Sequence, residues 1–219
     1  MQAGEHSTRR GALVETAGRE QVTRELDAEL AAAKKSPNAQ DPNRLVRYVR
    51  VQHQNAQGQG FDDVVIEFRG DPPKAKIRIV EIKDYPGRYL QASEMSAIRE
   101  NLHQNMQALR GRLTDATQAM DVASRPAEFR ALTDEEIYAL RDALTKKEIG
   151  IELHVGPTTL VGSESRAGSM LSQLRQELRS SGEFGALPGE TGNDVLAQKT
   201  TSISQDSVDR AANVQPPKP

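Results

Sequence analysis

A chain of 219 residues with 36% hydrophobic and 27% charged residues supports one medium-sized core diluted by polar segments. It has no cysteine, which excludes disulfides, thiolate metal sites and a cysteine nucleophile, and leaves the compartment undefined. A net charge of −2 excludes a globally basic nucleic-acid-binding protein, and 4% aromatics without Trp disfavour a broad stacking platform for single-stranded bases.

In chain order, residues 1–12 are polar and expected to be loose. They and the residues after them lack the continuous apolar segment of a secretory signal, and no run approaches the ~20 apolar residues of a membrane span. From Leu13 to Lys35 the pattern predicts a helix, with Val22, Leu26, Leu30 and Ala33 on one stripe. Lys34 and Lys35 suit the negative end of its dipole, and Ser36-Pro37-Asn38 stops it. A β-rich run follows at Leu45–Val51, then a polar loop from Gln52 to Gly60.

Two strands, Phe61–Arg69 and Lys76–Lys83, flank Gly70-Asp71-Pro72-Pro73, whose prolines mark a hairpin turn. The steps of three and four from Met95 to Leu113 predict a long helix over Ser93–Leu113. Thr133-Asp134-Glu135-Glu136 resembles a capping box opening a helix to Lys147, and Ile151–Val155 alternates like a strand. The architecture expected is α/β, with a mixed central sheet flanked by helices, over residues 13–160. A weakly helical extension at 161–180 and a disordered tail at 181–219 complete the chain.

The chemistry concentrates in the hairpin. Glu81 and Lys83 share the strand face of Ile77 and Ile79, while Val80 and Ile82 make the other face apolar too. A carboxylate and an ammonium on a strand buried on both faces are costly unless paired with each other or with a metal. Folding the hairpin symmetrically about Pro72–Pro73 sets Asp62 opposite Lys83 and diagonal to Glu81, within reach of one ion. A one-residue change of register would bring Asp63 to that face instead. Two carboxylates suit Mg²⁺ or Mn²⁺, and Lys83 beside them would orient or activate water.

Gly60-Phe61-Asp62-Asp63-Val64-Val65, a turn, then Ile79-Val80-Glu81-Ile82-Lys83 resembles the PD-(D/E)XK nuclease superfamily, the restriction-endonuclease-like fold. The Gly-Phe-Asp opening is similar to the nuclease domains of bacterial polymorphic toxins. That resemblance implies a divalent-metal-dependent endonuclease with Asp62 and Glu81 as metal ligands and Lys83 as the catalytic lysine. It implies a helix, a mixed sheet that starts with this hairpin, a second helix and a further strand. It also implies a nucleic-acid substrate, DNA before RNA, and an immunity protein as partner. Phe61 stands where the superfamily's name has Pro. A housekeeping repair or restriction nuclease, and a non-catalytic scaffold for protein partners, are the alternative roles.

Further candidates rank below these, and the first two pairs follow from the resemblance. Glu20 or Glu25 on the first helix are positional candidates for an additional acid, weighed against a solvated charged face. Gln91 or Gln104 are candidates for a polar residue after the lysine. Arg44, Arg47, Arg50, Arg99, Arg110 and Arg112 are candidate phosphate contacts or ordinary surface charge. His53, His103 and His154 lack ligand spacing and read as surface or structural residues.

Overall fold

The computed structural model describes residues 2–35, 41–51, 60–88, 105, 108–119, 121–146, 149–160 and 198–214. The helix expected from Leu13 begins earlier: α1 spans Gln2–Lys35. Residues 2–12 are therefore helical rather than loose. Part of the reason lies far away in sequence, where Arg10 donates to Asp84 Oδ2 at 2.6 Å and to the Thr158 hydroxyl at 2.9 Å. The C-terminal end falls as expected, after Lys34 and Lys35 in the last turn.

Five strands follow: β1 (Leu45–Arg50), β2 (Asp63–Arg69), β3 (Lys74–Lys83), β4 (Ile149–Val155) and β5 (Gln198–Ser202). They lie side by side in that order, antiparallel from β1 to β3 and parallel from β3 to β5. The described helices after α1 are α2 (108–118), α3 (Asp134–Lys146) and α4 (Gln205–Val214). The fold is α/β, a mixed open sheet flanked by helices. The sheet does not start with the predicted hairpin, because β1 pairs along the outer edge of β2.

Two apolar layers sandwich the sheet. On one face Val64, Ile66, Phe68, Ile77 and Ile79 pack with Leu109, Leu113 and Ala116 of α2 and with Ile137 and Leu140 of α3. On the other, Val65, Val80 and Ile82 pack with Val14, Ala17, Val22 and Leu26 of α1 and with Ile203 and Ala211. Strand β3 is thus buried on both faces, as its composition required. The capping box is real and reciprocal: Glu136 N–H donates to Thr133 Oγ1 at 3.2 Å, and Thr133 N–H donates to Glu136 Oε2 at 2.9 Å.

The α1 face is ionic towards the hairpin turn. Arg78, almost fully buried, donates to Glu152 at 2.7 Å and Glu25 at 3.2 Å, with Glu67 at 3.9 Å. Arg69 bridges Glu67 and Glu29, each at 2.6 Å. With Lys76 these groups line a cavity of about 230 Å³ between α1 and the sheet. Such pairing offsets the desolvation of each charge rather than adding much net stability.

One further expectation needs correction, and two lie wholly or mostly outside the described residues. The tail read as disordered from residue 181 contains β5 and α4 over 198–214. The strand Gln-Lys-Thr-Thr-Ser has a polar sequence, but its ladder with β4 uses backbone groups, which composition does not report. The weakly helical extension at 161–180 and most of the Ser93–Leu113 helix lie outside the described residues; the described part of that helix continues to residue 118.

Ile203 tests the added strand and helix directly. It is 1% exposed, so Ile203→Ala should destabilise the protein by about 2–5 kcal/mol in urea denaturation. A solvated tail would give no change.

Candidate active site at the end of strands β2 and β3

The hairpin ladder runs from Arg69↔Lys74 to Asp63↔Val80. Its turn is centred on Asp71–Pro72, not on Pro72–Pro73, so the pairing is offset by two residues from the symmetric expectation. One step beyond the ladder, Asp62 stands level with Glu81, and Lys83 takes the diagonal. An offset of two preserves the strand face, so the three groups still converge. Gly60, with φ 135, turns the chain into the strand through a conformation that disfavours any side chain. That turn sends Phe61 into the core, where it is 1% exposed.

Lys83 Nζ donates to Glu81 Oε2 at 2.7 Å and to Asp62 Oδ2 at 3.2 Å. The same Asp62 oxygen accepts the Ile82 N–H at 2.6 Å. On its main-chain side, Asp62 is held by Arg19 of α1, whose Nε donates to the Asp62 carbonyl at 2.6 Å. Arg19 is also paired with Glu15 at 2.5 Å. Arg50 of β1 then donates to the Arg19 carbonyl at 2.8 Å, linking α1, β1 and the start of β2.

Asp63 lies on the opposite face. It is buried beside Arg50, whose NH2 stands 3.1 Å from Asp63 Oδ2. Burial raises its pKa, against the pull of Arg50, Arg19 and Arg78. Of the two aspartates left open, Asp62 is the one brought beside Glu81 and Lys83.

Electrostatics separate the trio. Burial pushes the Glu81 carboxyl up to about 8; the Lys83 charge opposes this, and the neighbouring Asp62 carboxylate adds to it. Burial by itself would lower the Lys83 pKa, but the facing Glu81 and Asp62 carboxylates outweigh it and hold the proton on. Lys83 is thus the fixed positive charge, and Glu81 is the group whose charge is contested. Glu81 Oε1 is buried with no hydrogen-bond partner. An orphaned, desolvated carboxylate oxygen is a costly feature that a cation would satisfy.

Among the described residues, no three His, Asp or Glu side chains converge as a metal-ligand group. The donor set at this position is two carboxylates. That set fits Mg²⁺ or Mn²⁺, hard cations that keep several waters and take a substrate phosphate.

The remaining sequence candidates disperse. Glu20 pairs with Arg24 at 3.8 Å, and Glu25 belongs to the Arg78 cluster. Among the arginines, Arg44 donates to the Ala33 carbonyl at 3.1 Å, Arg47 to Glu136 at 3.1 Å and Arg112 to Glu128 at 2.6 Å. Arg110 is exposed on α2. His154 is fully buried, with Nε2 2.9 Å from Glu152 Oε2, and is structural. His53, Gln91, Arg99, His103 and Gln104 lie outside the described residues. Arg19 and Glu15, which the sequence did not single out, are the α1 residues nearest in bonding to Asp62. Nothing in their spacing separates them from the other charges of that helix.

Comparison of the chain with protein-family models, with curated proteins and with solved structures finds no match. Among the described residues, no helix is long and apolar enough to cross a membrane.

The raised Glu81 pKa has a thermodynamic consequence. Between its unfolded value, 4.5, and about 8, the native state binds more protons than the unfolded state, so stability falls as pH rises. Glu81→Gln removes that penalty. The variant should melt several degrees above wild type at pH 8 and show little difference near ~pH 5. Equal melting differences at both pH values would show that Glu81 titrates normally.

Proposed function

We propose that Asp62, Glu81 and Lys83 form the active site of a divalent-metal-dependent nuclease that hydrolyses phosphodiester bonds in DNA. The observation that carries this reading is the convergence of two carboxylates on one ammonium at a buried strand end, with Glu81 Oε1 left unsatisfied. The helix, hairpin, helix and parallel-strand order of the fold agrees with a restriction-endonuclease-like core, and the Gly60-Phe61-Asp62 opening supports the toxin-type branch of that superfamily. On that resemblance rest two further parts of the proposal: a bacterial toxin or effector role, and a cognate immunity protein.

Asp62 and Glu81 would hold Mg²⁺ or Mn²⁺, which supplies Lewis-acid polarisation of the phosphate and acidifies bound water. The remaining work belongs to the chain. Arg19 and the Ile82 N–H fix Asp62 from two sides, so its carboxylate meets the site already oriented. Lys83 keeps its proton and is therefore a donor, not a general base. It orients water or steadies the negative charge that grows on phosphorus. Burial of Glu81 keeps bulk water from screening these charges.

One observation favours a structural reading instead. Asp62 Oδ2 already accepts from both Ile82 N–H and Lys83 Nζ, so the trio also serves as a clasp closing the strand ends. A non-catalytic scaffold would need nothing more.

Plasmid DNA separates the two readings. Wild type should convert supercoiled plasmid in Mg²⁺ or Mn²⁺ and stop on addition of EDTA. Lys83→Ala should cut at least about a hundredfold more slowly while remaining folded by circular dichroism. DNA and RNA left intact across several divalent metals would establish the scaffold. RNA cut in place of DNA would move the substrate but keep the site.

A further inference from the structure

The cavity between α1 and the sheet lies on the face opposite Glu81 and Lys83, and its charged walls are only partly spent on one another. Arg78 is 7% exposed, yet its hydrogen bonds to Glu25 and Glu152 both leave from NH2. Its Nε is buried without a partner, and its NH1 stands 3.9 Å from Glu67 Oε1, beyond hydrogen-bond reach. Glu67, 3% exposed, gives Oε2 to Arg69 and leaves Oε1 without a hydrogen bond. Glu152 meets Arg78 and His154 through Oε2, and Oε1 is used by neither. Lys76, exposed at the rim and opposite Glu67 in the ladder, makes no ion pair among the described residues. Beside Arg78 in the parallel ladder stands Gly150, which contributes no side chain to fill the space.

Buried donors and acceptors left unmade are costly, and Arg78 and Glu67 each carry one in the wall of this cavity. An anion alone would meet Arg78 and Lys76 but face Glu67 and Glu152. A cation alone would meet the two acids but face the two bases. A ligand with both charges suits all four. The walls hold four carboxylates against three basic groups, a surplus of one negative charge that a ligand of net charge +1 balances. The volume, about 230 Å³, restricts the occupant to a small molecule. The walls are charged in advance. Burial by itself would raise the Glu152 pKa, but hydrogen bonds from His154 and Arg78 outweigh it and hold the carboxyl down to about 2.

From this arrangement we infer that the cavity binds a free basic amino acid, lysine or arginine. Its carboxylate lies towards Arg78 NH1 and Lys76, and its cationic groups lie towards Glu67 Oε1 and Glu152 Oε1. The site is separate from the Asp62, Glu81 and Lys83 cluster and does not depend on the nuclease reading.

Isothermal titration calorimetry of the full chain in EDTA measures the binding, with L-lysine, L-arginine, cadaverine and glutarate as titrants. Cadaverine is lysine without its carboxylate, and glutarate carries carboxylates without an ammonium. Lysine or arginine should bind at one site per chain, at least about tenfold more tightly than cadaverine or glutarate. Lys76→Ala, at an exposed position, should weaken lysine binding several-fold and leave cadaverine binding unchanged. Amide NMR of wild type supplies a reading that needs no variant: lysine should shift the Lys76, Arg78 and Gly150 signals and leave those of Asp62 and Lys83 in place. No heat and no shift with any titrant at about 10 mM would show a cavity filled by water alone and overturn the inference. Cadaverine or glutarate matching lysine, Lys76→Ala binding lysine as wild type does, or shifts confined to other parts of the chain would overturn it equally.

Discussion

One ammonium lies between two carboxylates at the end of a strand with apolar side chains above and below it. Lys83 reaches Glu81 at 2.7 Å and Asp62 at 3.2 Å, and Glu81 is 3% exposed. Burial disfavours each of these charges, and Lys83 and the two acids offset part of that cost for one another. The hairpin register, the face on which Asp62 lies and the anchoring of Asp62 by Arg19 all serve that one cluster. The pairing is also incomplete, because Glu81 Oε1 has no partner. The metal of the proposed function would satisfy that oxygen.

The scaffold divides its labour between the two faces of the sheet. The face carrying Glu81 and Lys83 is otherwise a stripe of Ile, Val and Phe under α2 and α3, which keeps the dielectric low around the trio. The α1 face carries most of the other buried charge, with Arg78 joining Glu25 of α1, Glu67 of β2 and Glu152 of β4. Asp63 and Arg50 belong to that second network. Adjacent aspartates in sequence thus serve opposite faces, one in the candidate site and one under the helix.

How much of this was legible follows from what each feature depends on. The hairpin, its turn and the double burial of β3 are local properties of alternation and proline placement, and they were readable. So was the capping box of α3. The register was not, because a shift of two leaves the hydrophobic pattern unchanged, and only the turn's true centre at Asp71–Pro72 decides it. The side taken by Asp63 follows from the parity of that register, but its partner Arg50 arrives from β1 and is not marked locally. Gln198–Ser202 looked like tail because its strand is made by backbone pairing with β4, and α4 because Val208 and Ala211 give it little apolar pattern to read. Arg19 was invisible for a different reason: its bond to the Asp62 carbonyl crosses 43 residues, and nothing local marks it.

The central claim is that a divalent cation can enter between Asp62 and Glu81 and displace the Lys83 ammonium from one of them. Anomalous diffraction from crystals soaked in Mn²⁺ tests it most directly. The account predicts a single strong peak within about 2.5 Å of an oxygen of each carboxylate, with Lys83 Nζ withdrawn from at least one. Crystals that show no peak there, with the ammonium still bonded to both acids at saturating Mn²⁺, would contradict it.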